Sequence, residues 1–393
     1  MAEGPLAGFR ILDLTQVVSG PYCTQTLGDL GADIIKVEPP EGDLIRSVGP
    51  PRKNGVAAGF LAFNRNKRSI AIDLKNPQGV NLVKILAAKC DAMIENNRPG
   101  VADRLGIGYA EIRKVNPRIV YCAIHGFGPK GPKANDPAFD PVIQGFSGMA
   151  AVQGGKDGKP VAVRMALADK ISGMTAALSI IAALHAARNR GVGQYIRVPM
   201  VEAMMAFVAN DSFIGHAFVP HDEEQDRVPT FSLDPLKTAD GYVTLGAFTD
   251  AQWERLTKTV GHPEWWQIER YGERLRTSFK GVAEIFAETP TARCLEIIRE
   301  ADVPGGPTHS YETLFDDPEV VANESFLSYE HPQAGPVRTP RPGWRFSETP
   351  AQMRRRPPLL GEHTEEILRE VNLSREEIEE LRRNRVINQP QTN

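Results

Sequence analysis

The first two hundred residues alternate short β-rich runs with helical segments, and that alternation leaves few folds open. Candidate strands are Arg10–Leu14, Asp33–Glu38, Ser69–Leu74, Asp91–Glu95, Ile119–Ile124 and Tyr195–Val198. Between them lie helical candidates at Pro21–Leu30, Pro77–Lys89, Tyr109–Val115 and Lys170–Asn189. Strand–helix–strand order implies parallel crossovers, hence an α/β fold with a doubly wound sheet covered on both faces. Open sheets of this kind take ligands beyond the carboxyl ends of their strands. The loops after Leu14, Leu74, Glu95 and Ile124 are therefore where chemistry is expected.

A chain of 393 residues exceeds one ordinary core, so two domains are expected. A compositional break falls near Pro220–Pro235, where residues 221–227 are polar and helix-poor. A strand at Gly241–Leu245 and helices at Asp250–Val260, Val282–Ala287 and Thr291–Glu300 follow it. The division expected is 1–221 as the first part of a large domain, 222–325 as a small domain, and 326–393 as linker and C-terminal segment. The linker, Pro332–Pro358, is rich in proline and arginine, and its Arg354–Arg356 run reads as a solvated or salt-bridged connector. The last helix carries a capping box, Ser374 with Glu377 three residues on. The segment Pro39–Lys67 reads as one long loop, a length that is usually functional or mobile.

A net charge of −3 argues against a nucleic-acid binder, although a local cation cluster could still hold a small anion. The four cysteines, Cys23, Cys90, Cys122 and Cys294, form no CxxC pair, and the eight histidines never pair at metal-ligand spacing. No metal and no resident cofactor are expected. The first ten residues have neither a basic leader nor an apolar core, and the longest apolar stretch, Met174–Ala187, is short for a bilayer. A cytoplasmic protein that engages neither membrane nor nucleic acid is the expectation.

The most informative segment is Ala166–Arg188. Ile171, Met174, Leu178, Ile181 and Leu184 recur at helical spacing, and Asn189–Gly191 supplies a stop. Asp169 then stands at the helix start. The plain reading is an N-cap whose carboxylate accepts hydrogen bonds from the first turn. That reading is compatible with chemistry, because a helix N-terminus favours the ionised carboxylate a nucleophile needs.

The strand–turn–helix–strand unit Leu12–Glu38 looks like half a dinucleotide fold but lacks GxGxxG, which disfavours nicotinamide and flavin. Phosphates of another nucleotide could meet the cations of Phe63–Arg68, Lys75, Arg98 and Arg104. Cys122, inside a strand, reads as a core filler, and Ser147 is not in a GxSxG elbow.

One family matches these residues in order. The chain resembles the family III CoA-transferases (the CaiB/BaiF type) at Leu12–Thr15, Gly20–Pro21, Leu30–Glu38, Gly42–Arg46 and Arg65–Ser69. The likeness continues at Asp91–Asn96, Arg98–Gly100, Asn116–Tyr121, Gly126–Gly128, Arg190–Gln194 and Pro358–His363. Singly these segments are weak; in this order and spacing they are specific. The resemblance implies a Rossmann-like large domain completed by the returning C-terminal segment, a smaller α+β domain, and an interlocked homodimer. It puts the acylated carboxylate at Asp169 and CoA contacts at Val17, Lys75, Asn96, Asn97 and Arg104. It also implies an acyl-CoA and a free carboxylate as substrates, joined through aspartyl anhydride and aspartyl-CoA thioester intermediates.

The same fold serves α-methylacyl-CoA racemases, in which the aspartate pairs with a histidine as acid and base. Phe139 stands where that histidine is expected, and a phenyl ring carries no proton, so transfer is favoured. His125, near the same strand end, keeps the alternative open. A non-catalytic acyl-CoA binder would have no need of Asp169. Formyl-CoA transferases carry a glycine run in the small domain, and Val228–Tyr242 has none. Arg46, Arg52 and Arg65 suggest a dicarboxylate acceptor, since guanidinium matches carboxylate bidentately.

Overall fold

The computed structural model describes residues 3–49, 51–154, 158–212, 216–219, 234–247, 249–267 and 273–388. Most of the polar break at 220–235, including residues 221–227, lies outside them. The chain divides into two compact units, Met1–Ile214 with Ser325–Asn393, and Gly215–Glu324.

The first unit is built on a six-stranded sheet: β1 (Arg10–Asp13), β2 (Asp33–Glu38), β5 (Lys67–Ala71), β6 (Ala92–Glu95), β7 (Val120–His125) and β8 (Tyr195–Pro199). Its order is β5-β2-β1-β6-β7-β8 and every pairing is parallel. Parallel strands need both faces covered. One face is sealed by α1 (Ser19–Asp29), α8 (Leu167–Arg190) and α9 (Met200–Ser212), which bring Cys23, Leu27, Ala176, Ile180 and Met204 onto Ile11, Ile34 and Ile94. The other face is sealed by α3 (Pro77–Ala87), α5 (Tyr109–Val115), α15 (Thr364–Glu370) and α16 (Arg375–Arg383). Leu82, Leu86, Ile112, Ile367, Leu368 and Ile378 cover Leu12, Ile35 and Met93 there. The C-terminal helices thus complete the core of the first unit.

Two local readings change and one, the salt-bridged connector, is sharpened. The segment after β2 is not a bare loop: it holds a 3-10 turn (Leu44–Arg46), a β3–β4 hairpin (Arg52–Lys53, Val56–Ala57) and α2 (Ala58–Phe63). The Arg354–Arg356 run is tied down by hydrogen bonds. Arg354 donates to the carbonyls of Gly28 at 2.6 Å and Gly31 at 2.9 Å, capping the C-terminus of α1, and Arg356 pairs with Glu362 at 2.6 Å. The apolar helix is longer than the apolar stretch suggests. At 24 residues α8 is long and apolar enough to cross a membrane by length and composition alone, yet Ala176, Ala177, Ile180 and Ala183 are buried against the sheet.

The second unit packs α10 (Asp250–Thr259), α11 (Glu273–Ala287) and α12 (Thr291–Glu300) on a three-stranded antiparallel sheet. Val243, Leu256, Val282, Phe286 and Ile298 form its core.

Candidate active site

The strand order fixes where a site can form. From β1 the chain moves outward through β2 to β5, then returns to the other side of β1 with β6. The crevice beyond the carboxyl ends of β1 and β6 is therefore the topological switch point. Asn96, just past β6, spans it: its Oδ1 accepts the Gln16 N–H at 2.9 Å and its Nδ2 donates to the Gln16 carbonyl at 2.8 Å. Both backbone groups of Gln16 are thereby satisfied by one side chain from the facing loop.

Next to Gln16, Val17 has φ 70°. A β-branched residue in the left-handed region is an outlier that costs about 1–3 kcal/mol and persists only where its surroundings impose it. The Val17 N–H donates to Asp43 Oδ1 at 3.0 Å. Its side chain lies against the small cluster of Val18, Ile45 and Phe60, which also holds Ala166, the N-cap of α8. Two residues on, Ser19 opens α1 and its hydroxyl lies close enough to the Asp169 carboxylate to favour the ionised form. Asn96 Nδ2 reaches the same hydroxyl oxygen at 3.5 Å. The approach of α1 to α8 depends on Gly173, where a Cβ would lie 2.5 Å from the Ser19 carbonyl.

Asp169 itself is not the N-cap. It is the third residue of α8, and the cap, Ala166, makes no side-chain hydrogen bond. The first turn is capped instead from another helix. Asp140, which opens α6 (Asp140–Phe146), accepts the Asp169 N–H on Oδ2 at 3.0 Å. Gln144 fixes Asp140 with a 2.5 Å hydrogen bond and holds the incoming strand through Val163 N–H at 2.8 Å and the Met165 carbonyl at 3.1 Å. The electrostatic consequence reverses the sequence expectation of a carboxylate held ionised. Burial, with the Asp140 charge beside it, pushes the Asp169 carboxyl up to about 7, and the nearby Ser19 hydroxyl only partly opposes this.

A second carboxyl sits at the adjacent strand end. Glu95, the last residue of β6, is buried and pushed up to about 7, with the Asn97 N–H donating to it at 2.7 Å. His125 Nε2, at the end of β7, lies 3.8 Å away. Burial and the Arg197 guanidinium hold that imidazole below its ordinary range.

The structure thus joins Val17, Asn96 and Asp169 through Gln16 and Ser19, and places Asn97 on Glu95. Lys75 and Arg104 stand elsewhere on the same side of the sheet, after β5 and in the short α4 (Val101–Arg104); both are exposed. Among the described residues neither has a carboxylate partner. Other proposed cations are consumed internally. Arg65 grips Asp29 at 2.8 and 2.7 Å, Lys67 is buried on Asp13 at 3.1 Å, and Arg68 pairs with Asp33, Glu366 and Glu370. Arg46 holds Glu38 at 2.6 and 2.8 Å and lies over the Phe60 ring. Arg46 and Arg65 are therefore each committed to an internal carboxylate along one edge of the guanidinium. Cys122 is fully buried with its thiol pushed far up, and Ser147 only closes α6.

Sequence reading missed Ser19, Glu95 and the capping role of Asp140. Ser19 carried a usable signal, since a serine before Gly20–Pro21 marks a helix start. Glu95 was visible as an acid closing an apolar strand, the place where open sheets put their ligands. Asp140 carried none, because its partner lies 29 residues away.

The profile of CoA-transferase family III matches residues 6–364. The succinyl-CoA:glutarate CoA-transferase of Mus musculus is 36% identical over 379 residues, spanning 93% of this chain and 86% of that protein. The succinate–glutarate CoA-transferase of Agrobacterium fabrum is 35% identical over 385 residues, with 93% and 96% covered. A crystal structure of a CaiB/BaiF family protein from Brucella suis aligns with a TM-score of 0.81 at 31% identity, covering 94% of this chain and 100% of that one. A parallel sheet with a half-buried carboxylate at its switch point, matched over this length, places the chain in CoA-transferase family III and makes it a CoA-transferase.

Proposed function

We propose that this enzyme moves CoA from an acyl-CoA donor to a free dicarboxylate through covalent intermediates on Asp169, with succinyl-CoA and glutarate as the first pair to test. The observation that carries the reading is the placement of one half-buried carboxyl at the switch point, beside the Ser19 hydroxyl and fixed through its backbone by Asp140. The substrate pair is supported by the two relatives named for succinate and glutarate.

In the first step an Asp169 carboxylate oxygen attacks the thioester carbonyl carbon. The C–S bond breaks, giving an aspartyl anhydride and CoA thiolate. The thiolate attacks the aspartyl carbonyl, releasing the donor carboxylate and leaving an aspartyl-CoA thioester. The acceptor carboxylate repeats the sequence in reverse, so no thioester energy passes to water. Val17, Lys75, Asn96, Asn97 and Arg104 are the proposed CoA contacts. Racemisation is disfavoured because Phe139, immediately before Asp140, offers no proton, and His125 faces Glu95. The test is glutaryl-CoA formation from succinyl-CoA and glutarate, with no α-deuterium wash-in from D2O; wash-in without transfer would refute the reading.

A carboxyl near 7 must lose its proton before it can attack. The donor kcat/KM is therefore expected to rise about tenfold per pH unit below neutrality and to level off above it. Ser19→Ala removes the hydroxyl that favours the ionised form, so its limb should move up by roughly half to one pH unit. A pH–rate series on both proteins checks this, and a limb moving down would contradict it.

An interlocked homodimer belongs to the same proposal. It is supported by the exposed apolar side chains of Phe139, Phe146, Leu178, Met205 and Phe207, an arrangement that calls for cover. Sedimentation equilibrium should give twice the chain mass.

A further inference from the structure

The loop between β1 and α1 is held by a device that the transfer chemistry does not itself require. Lys36, on β2, is wholly buried; its Nζ donates to the Thr15 carbonyl at 2.8 Å and to Asp43 Oδ2 at 2.8 Å. The other Asp43 oxygen accepts the Val17 N–H at 3.0 Å and the Ile45 N–H at 3.1 Å. The Asp43 N–H is in turn fixed by Glu38 Oε2 at 3.0 Å. With Asn96 occupying both backbone groups of Gln16, three successive residues have their orientation set by side chains from β2, the 3-10 turn and β6. Nothing in the local sequence would put Val17 at φ 70°; the ring Lys36–Asp43–Val17–Thr15 imposes it.

We infer that the buried Lys36–Asp43 ion pair is a positioning device that holds Val17 in its left-handed conformation and so shapes the acyl-CoA-binding loop. The inference rests on the proposal that Val17 contacts CoA. An ordinary core ion pair would support the fold without favouring one backbone conformation at residue 17. A clamp would matter only as long as residue 17 resists that conformation. Glycine does not resist it, because it lacks the Cβ that penalises positive φ. The pair should therefore be energetically coupled to the side chain at 17, and that coupling separates the two roles.

Removing one partner would strand a buried charge and could unfold the protein, so both are replaced together in Lys36→Met/Asp43→Ala. This double variant is made in the natural background and in Val17→Gly. Folding is followed by circular dichroism and thermal midpoint, binding of free CoA by calorimetry, and donor KM, acceptor KM and kcat by transfer assay. With Val17 present, the double variant is expected to weaken CoA binding and raise donor KM about tenfold, leaving acceptor KM within about twofold. In the Val17→Gly background the same double change should cost less than about threefold. Equal losses in both backgrounds, or unchanged CoA affinity in a folded double variant, would overturn the inference. If the double variant does not fold, Lys36→Met/Asp43→Asn in both backgrounds, which leaves no stranded charge, carries the same comparison. Calorimetry on CoA alone keeps this outcome separate from the transfer proposal, which fails instead if the natural protein forms no product.

Discussion

Asp169→Asn is expected to lower transfer from succinyl-CoA by at least about 10⁴-fold while leaving the dissociation constant for CoA within about threefold. The asymmetry follows from where the residue sits. Its carboxyl is the acyl acceptor in every proposed step, and an amide nitrogen, conjugated with its carbonyl, does not replace it. The CoA contacts proposed at Val17, Asn96 and Asn97 belong to the loops after β1 and β6, which Asn96 and Asp43 hold without Asp169. The Asp169 N–H stays on Asp140 in the variant, so the start of α8 is preserved. A variant that retained more than about 1% of the natural rate would show that the carboxylate is not the nucleophile.

The same substitution should stabilise the protein, and only at the alkaline side. In the folded chain the Asp169 carboxyl is raised from 3.8 to about 7. Below about pH 4 both the folded and unfolded forms carry the proton, so the group contributes no difference. Between about 4 and 7 the unfolded form releases the proton first and the folded form loses relative stability with each step. Above 7 the loss is complete, about 4 kcal/mol at full value for a shift of this size and less once solvent screening of the half-buried group is allowed for. Asparagine never carries that charge. Urea midpoints of the two proteins should therefore nearly coincide at pH 4 and separate in favour of Asp169→Asn at pH 8. Glu95→Gln, which removes the other carboxyl held near 7, should show the same sign. Equal midpoints at pH 8 would mean that the site tolerates the ionised carboxylate without cost.

Much of this fold is legible from period and punctuation. The run Asp33–Glu38 is a strand in sequence and structure alike, and Tyr109–Val115 is a helix in both. What the local pattern misses is pairing at a distance. Lys67 and Arg68 read as cations open to a phosphate, yet Lys67 lies at zero exposure on Asp13, as Lys36 does on Asp43. The start of α8 fails for a related reason. An aspartate before an apolar helix fits an N-cap, and only the trans cap from Asp140 lets the helix begin three residues earlier at Ala166. That displacement is what makes the residue chemically different: at N3, half-buried beside Asp140, its carboxyl loses solvent and meets a like charge. The arginines of Pro39–Lys67 were misjudged in the opposite sense. Arg46 and Arg65 look available in sequence, but Glu38 and Asp29 occupy the Nε–Nη2 edge of each guanidinium.

The central claim is that Asp169 becomes covalently attached to CoA, and intact-protein mass spectrometry tests it most directly. With succinyl-CoA and no acceptor, the chain should gain the mass of CoA less one water while free succinate appears in equal amount. Glutarate should then discharge the adduct as glutaryl-CoA. Peptide mapping should place the adduct on Asp169, and Asp169→Asn should acquire none. Full transfer activity with an adduct on another residue, or with Asp169→Asn turning over at the natural rate, would contradict the account.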